Sequence, residues 1–196
     1  MIDKAKTIMK KLYDTTKKWT AETDYSFSVY STPAESLGNR FESSDKNEFG
    51  VIENITDREF YTNSFHVHVE QACNAFEKID YESNFVQYSP GGFTSFVDAN
   101  SLKQNLEAIE KLWDYSYEHT NIGYLLINVK EDQCFNCGFT GVIEPTENGY
   151  CCPNCGNKDN HSMYVIRRVS GYLTSTTQRQ INKGKKQEMD LRYVHF

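Results

Sequence analysis

Five of the six cysteines fall between Cys134 and Cys155, and four of them repeat one pattern. Cys134-Phe-Asn-Cys137-Gly138 and Cys152-Pro-Asn-Cys155-Gly156 are CxxCG turns, with 14 residues between Cys137 and Cys152. Two intervening residues let both sulfurs of a turn face one ion. The glycine after each second cysteine permits the tight backbone that brings amides toward the thiolates. Together the turns supply four sulfurs, a closed tetrahedral site suited to Zn2+ with no open position for a substrate. Iron in a rubredoxin-like site is the chemical alternative. Cys151 could stand in for Cys152, but only Cys152 keeps the CxxC spacing and the following proline. By itself a four-cysteine ribbon of this kind reads as a structural staple.

A second stretch with chemical potential is Ser31-Thr-Pro-Ala-Glu-Ser36. It reads as a strand running into a helix, with Ser31 or Thr32 as N-cap, Pro33 in the first turn and Glu35 in the capping region. A helix start presents unpaired N–H groups and the positive end of the dipole, which suits phosphate. Thr32, Ala34, Glu35 and Ser36 are therefore candidate substrate-binding residues, with Glu35 capping rather than touching phosphate. A plain helix cap explains the same letters. Cys73, the sixth cysteine, sits among apolar neighbours in Gln71–Ile79 and reads as a small buried hydrophobe.

The elements that must position these groups come from hydrophobic periodicity. Residues 3–20 place Ile8, Leu12 and Trp19 at helical spacing, and residues 25–30 alternate as a strand. Residues 38–58 are polar and read as loop. Residues 65–69, FHVHV, alternate again, and 71–79 are helical. A Pro90-Gly91-Gly92 turn precedes a strand at 93–97, and residues 101–117 put Leu102, Leu106, Ile109 and Trp113 on one helix face. The apolar run 122–129 predicts a strand buried on both faces. Helices alternating with strands predict an α/β fold with a parallel sheet.

Apolar residues make up 38% of the 196 and aromatics 14%, enough for a core and too much for disorder. The first residues lack the apolar run of a secretory signal and no stretch could span a membrane, so a cytoplasmic protein is expected. A reducing compartment favours metal over disulfides for the cysteines. The formal charge of −6 disfavours a general nucleic-acid binder. The charge is uneven: from Ile166 onward seven basic side chains face two acidic ones, +5, which leaves −11 on the first 165 residues. A basic tail on an acidic body suits an anionic substrate or an acidic partner surface, and equally a solvated tail.

Past the last paired cysteine the chain reads Arg168-Val169-Ser170-Gly171-Tyr172, then Asn182-Lys183-Gly184-Lys185, Glu188, Arg192 and His195. With the four-cysteine pattern just upstream, and with TPAES (32–36), Arg40-Phe41, FYTNSFHV (60–67) and the Gly91-Gly92 pair in order, the sequence resembles the C-terminal part of the anaerobic (class III) ribonucleoside-triphosphate reductases. Thr174 stands where that family commonly has a glycine, and residues 175–180 look unlike its bacterial members.

The resemblance implies that Gly171 is a glycyl radical site, generated by a radical S-adenosylmethionine activating enzyme. Glycine suits the role because a backbone radical is stabilised by flattening between its two amides, where a side chain would clash. It implies a chain organised as a C-terminal portion of a ten-stranded α/β barrel (1–130), a zinc module (131–165) and a radical loop with tail (166–196). In the family a barrel cysteine, oxidised to a thiyl by the glycyl radical, attacks the ribose, and formate usually supplies electrons. That cysteine lies N-terminal to TPAES in the family and has no counterpart here. The chain is thus expected to be a fragment or split subunit. It would need an N-terminal portion, work within a homodimer on ribonucleoside triphosphates, and be an oxidoreductase inactive alone. Two other readings compete: a stand-alone glycyl-radical replacement module, and a zinc-ribbon adaptor. Against the adaptor as a nucleic-acid binder, residues 131–165 hold no Arg and a single Lys.

Overall fold

A computed structural model describes residues 2–31, 37–100, 105–146, 149–169, 171–177 and 180–196. Helix α1 (Ile2–Glu22) leads to a short strand β1 (Tyr30–Ser31), helix α2 (Leu37–Phe49) and helix α3 (Ala75–Val86). Strand β2 (Gly92–Ala99), helix α4 (Leu106–His119) and strand β3 (Tyr124–Val129) follow. The three strands form a parallel sheet in the order β1-β2-β3. The mixed α/β class and the parallel pairing agree with the periodicity; among the described residues no closed barrel is formed.

The remainder is built from short antiparallel pieces. Strands β4 (Asp132–Cys134), β5 (Thr140–Gly141) and β8 (Met163–Tyr164) form one sheet, and β6 (Pro145–Thr146) pairs with β7 (Gly149–Tyr150). Strands β9 (Ile166–Val169) and β10 (Tyr172–Ser175) make a hairpin, and helix α5 (Lys183–Asp190) precedes an extended tail. No described helix is long and apolar enough to cross a membrane.

Two core clusters carry the α/β part. Ala75, Ile79, Val97, Leu112 and Ile122 pack between α3, α4 and the sheet, with Phe196 against them. Met9, Phe85 and Phe93 join α1 and α3 to β2. A third cluster, Cys134, Ile143, Cys152, Met163 and Val165, belongs to the cysteine-rich part. The glycine pair at 91–92 lets β2 start close beside β1: a Cβ on Gly91 would lie 2.7 Å from the Val29 carbonyl, and Gly92 has φ +136°.

The structure corrects several sequence expectations. The polar stretch at 38–58 contains α2, held by polar contacts that leave no apolar stripe. Asn39 donates to the Glu59 carbonyl at 2.9 Å, Tyr61 donates to Asp45 at 2.9 Å, and Lys46 donates to the Arg58 carbonyl at 3.1 Å. Residues 65–69 are no strand. The Val67 amide donates to the Glu82 carboxylate at 3.2 Å instead of a neighbouring strand. Of the 25–30 stretch only Tyr30 pairs as a strand, together with Ser31. Helix α3 starts at Ala75, because Asn74 and Glu77 form a reciprocal capping box that leaves Cys73 outside the helix. On α1 it is Met9 that is buried, while Ile8, Leu12 and Trp19 stay about half exposed. Strand β3 is a sheet edge, with Tyr124 and Leu126 exposed, where burial on both faces was expected.

Candidate metal centre and the Gly171 hairpin

The two CxxCG turns fold as near copies. The Gly138 amide donates to the Cys134 carbonyl at 2.9 Å, and the Gly156 amide to the Cys152 carbonyl at 2.9 Å. The Cys134 amide reaches the Phe139 carbonyl at 2.9 Å, and the Cys152 amide the Asn157 carbonyl at 2.8 Å. Gly138 and Gly156 have φ of +73° and +71° with open space where a Cβ would be, so conformation rather than room dictates glycine. The four sulfurs converge within 4.8 Å of one another. Cys134 and Cys155 lie 3.8 Å apart and Cys137 and Cys152 3.7 Å. A tetrahedron with metal–sulfur arms of roughly 2.3 Å has edges of about 3.8 Å, so the residues fit the ion. Cys151 points elsewhere, 3.9 Å from the Cys152 carbonyl.

The electrostatics also suit a cation. Burial works to raise the Cys134 thiol, but the Asn157 amide and the Asn136 and Cys137 backbone N–H groups outweigh it and bring it down to about 6. The Asn154 side chain and the Phe139 backbone lower Cys137. For Cys155 the Asn157 backbone N–H acts downward, but hydrogen bonds with the neighbouring sulfurs prevail and push it up to about 11. Four thiolates this close cannot all ionise without positive charge among them.

Two residues before Cys134, on the same strand, lies Asp132, fully buried. Its carboxylate accepts both arms of Arg167, at 2.6 and 2.9 Å, and the Ile143 and Ile166 amides at 2.8 and 3.3 Å. Arg167 also donates to the Ile143 carbonyl at 2.9 Å. This ties β9 to the cysteine module.

Successive side chains of a strand face opposite ways, so Arg168 turns from the module to the α/β body. There it donates to Asp98, at the C-terminal end of β2, at 2.8 Å, and stacks over the Phe96 ring at 4.5 Å. Asn128 supplies a second donor to Asp98 at 2.7 Å. Burial opposes the Asp98 charge, but Arg168 and Arg192 hold its carboxyl below the usual range. Arg192 donates to the Arg168 carbonyl at 2.7 Å and to Glu188 at 2.9 Å. The His195 amide reaches the Asp98 carbonyl at 2.7 Å, and the Asp98 amide donates to His195 Nδ1 at 3.0 Å. Helix α5 fits closely because residue 184 is glycine: a Cβ there would lie 2.2 Å from the Glu59 carbonyl.

Between β9 and β10 the register ends with Val169 paired to Tyr172, and Gly171 lies in the turn between them. Gly171 is exposed at this tip.

A family model described as anaerobic ribonucleoside-triphosphate reductase matches residues 2–195. The chain belongs to this family. It is 42% identical over 194 residues to the anaerobic ribonucleoside-triphosphate reductase of Haemophilus influenzae, covering 99% of this chain and 27% of that protein. The same-named protein of Escherichia coli is 43% identical over 189 residues, covering 96% of this chain and 26% of that protein. That of Enterobacteria phage T4 is 41% identical over 193 residues, with 98% and 32% covered. A solved structure of an anaerobic ribonucleotide reductase superposes with a TM-score of 0.68 at 19% identity, covering 95% of this chain and 28% of that one. The Thermotoga maritima anaerobic ribonucleotide reductase, in complex with dATP and CTP, gives 0.59 at 18%, covering 94% and 27%. The chain therefore spans about a quarter to a third of the length of these reductases.

Of the residues singled out from the sequence, the structure brings Cys134, Cys137, Cys152 and Cys155 to one point and sets Gly171 at a hairpin tip. Thr32, Ala34, Glu35 and Ser36 lie outside the described residues. The reductase motif residues Arg168, Glu188, Arg192 and His195, scattered in sequence, meet in one buried network. Sequence reasoning missed Asp98 and Asp132, the acidic partners of that network and of Arg167. Each sits at or near a strand end with no local motif; for Asp98 an acidic residue in the largely buried strand β2 was the available signal, and for Asp132 there was none. It also missed Glu82, buried on α3, which bonds Lys78, His66 and Ser95.

Proposed function

We propose that this chain is the C-terminal portion of an anaerobic ribonucleoside-triphosphate reductase and stores a radical on Gly171. The observation that carries the reading is the hairpin itself. A glycine stands exposed at a tight turn whose strand is anchored on both sides by buried arginine–aspartate pairs. Such a tip is accessible to an activating enzyme of the radical S-adenosylmethionine type, while its base is held in register for return to a partner site. Zn2+ in the four-cysteine cluster would stiffen the module beside the hairpin and takes no part in redox chemistry.

The open flank of β3, with Tyr124 and Leu126 exposed, supports a sheet continued by strands from an N-terminal portion of a ten-stranded barrel. On this reading residues 1–130 are barrel, 131–165 the zinc module and 166–196 the radical loop and tail. The N-terminal portion contributes the cysteine that attacks ribonucleoside triphosphates, formate is the reductant, and the assembled enzyme is a homodimer. Thr32, Ala34, Glu35 and Ser36 would form the phosphate-binding helix start. Alone, the chain does not turn over nucleotides.

The test is to activate the reassembled enzyme without oxygen and record its electron-spin resonance. The wild type should show a doublet from the single α-hydrogen, and Gly171→Ala should show none. Oxygen should then cut the wild-type chain at Gly171 and release residues 172–196. A doublet that survives in Gly171→Ala overturns the assignment.

A further inference from the structure

Helices α1 and α4 flank α3 on different faces. Met9 of α1 clusters with Phe85, with Tyr81 against them, whereas Leu112 of α4 packs with Ala75 and Ile79. Tyr115 of α4 meets the Phe76 ring edge to face at 4.9 Å and donates to Asp80 at 2.7 Å. On the helical wheel Phe76 and Asp80 point away from Tyr81 and Phe85. Helix α3 therefore stands between the other two, which are the outer helices of the layer.

Each outer helix leaves one stripe uncovered. On α1 it runs Ile8, Leu12, Thr15, Trp19, and on α4 Leu106, Glu110, Trp113, Tyr117. Ile8, Leu12 and Trp19 are about half exposed, Trp19 even with Phe27 against its ring, and Leu106, Trp113 and Tyr117 are 53–89% exposed. Both stripes advance by four, three and four residues, the steps of a coiled-coil seam. Beside the α1 stripe, in the g position of the heptad, stand Lys4, Lys11 and Lys18; beside the α4 stripe, in the e position, stand Glu107 and Asp114. Parallel helices bring g of one against e of the other, so an in-register pair sets Lys4 by Glu107 and Lys11 by Asp114. Among the described residues Lys4, Lys11 and Asp114 have no ion pair within the chain, and Glu107 has an exposed one with Lys111 at 2.7 Å. Like helices gain nothing comparable: the e position of α1 holds the buried Met9 and Thr16, and the g position of α4 holds Ile109 and Ser116.

We propose that copies of this chain associate head to tail, with α1 of one lying parallel against α4 of the next. The partner is a second copy because the two exposed stripes match each other in spacing and charge, and α3 keeps them apart within one chain. Such a contact is heterologous: every added copy leaves one stripe open at each end, so the assembly extends and does not close as a twofold dimer. Thr15 and Glu110 interrupt the apolar seam, and three large apolar side chains a side make a small contact. The association is therefore weak and reversible. It is independent of Gly171 and of any radical.

Analytical ultracentrifugation of the zinc-loaded chain tests it. At low ionic strength the weight-average mass should rise more than twofold from dilute to concentrated protein, passing the dimer, and fall back when salt screens the charges. Charge is then reversed on one helix at a time, by Lys4→Glu with Lys11→Glu or by Glu107→Lys with Asp114→Lys. All four side chains are exposed, so circular dichroism should not change, and each variant alone should stay at the monomer mass. Mixing the two variants should restore association, because the acidic α1 of one then faces the basic α4 of the other. A wild-type chain that is monomeric at every concentration leaves the stripes to a different partner, such as the rest of a reductase, and overturns the proposal. So does a mass that saturates at the dimer, or a mixture of the variants that stays monomeric while the wild type associates.

Discussion

Arg167 and Arg168 are neighbours, almost equally buried, and each holds an aspartate, yet the two regions they join are stabilised differently. The cysteine module has five buried apolar or sulfur side chains in its core and very short strands. So small a core offsets little of the conformational entropy of its loops, and cross-linking through an ion held by the four sulfurs would make up the difference. The α/β body has two clusters with eight buried apolar side chains between them and a parallel sheet, and it holds a cavity of about 50 Å³ beside its charges. A few fully satisfied polar contacts can fix geometry where apolar area is scarce. Where apolar area is ample, polar contacts can stay incomplete and exchangeable.

The largest effect that would sharpen this contrast is removal of the metal. Chelation, or Cys152→Ser, should unfold residues 131–165 while the α/β body keeps its structure, because structural zinc contributes on the order of 10 kcal/mol to such modules. Zinc content and amide exchange measured peptide by peptide would check it; a body that melts together with the module would show that the two are not separate in stability. Next in size is Gly184→Ala. The added methyl would drive into the Glu59 carbonyl, and overpacking of this kind costs about 1–3 kcal/mol. Proteolysis should then appear first in residues 181–196 and the thermal midpoint should fall; an unchanged melt would mean α5 is not firmly docked. Smaller again, Asn74→Ala should remove one side of the capping box on α3 and cost about 1 kcal/mol, read from denaturant unfolding. Its effect should be confined to the body and leave zinc affinity unchanged.

The limits of sequence reading follow the same division. The cysteine turns were legible because metal geometry is local: spacing, two glycines and four sulfurs fix the arrangement without distant help. Strands β2 and β3 and helices α1, α3 and α4 were legible as elements from periodicity, although on α1 and β3 it misjudged which side chains are buried. Helix α2 was not, since Asn39, Lys46 and Asp45 hold it through polar contacts with residues 58–61. Nor was the status of 65–69, whose alternation is real but whose amide finds the Glu82 carboxylate, brought from α3 by the tertiary fold. Asp98 and Asp132 are of the same kind. Their partners lie 70 and 35 residues away in sequence, and nothing local to an aspartate says which arginine it will meet.

The subtlest expected difference between the regions is their response to pH. His195 lies beside Lys78, Asp98 and Glu82, with Arg168 and Arg192 lining the same cavity. Burial and the Lys78 charge hold its pKa below the ordinary 6.5, partly opposed by Asp98 and Glu82. The folded imidazole also accepts from the Asp98 amide through Nδ1, a bond that protonation at that atom would abolish. With the folded pKa depressed, the unfolded tail binds the proton more readily. The stabilisation from docking is then complete above pH 6.5 and declines as the pH falls through that value toward the folded pKa. Glu82 behaves in the same direction but lower: burial opposes its charge, Lys78 and His66 more than compensate, and its pKa falls to about 2, so its contribution is lost only below pH 4.5. Between pH 7 and 5, therefore, amide exchange at Tyr193 and His195 should quicken beyond its intrinsic pH trend, while the Ile143 and Ile166 amides, bonded to Asp132, follow theirs. His195→Gln, which carries no titrating ring, should remove the excess. If the Ile143 and Ile166 amides loosen in the same window, the acid-sensitive contact lies on the module side, and the contrast drawn between the two arginines reverses.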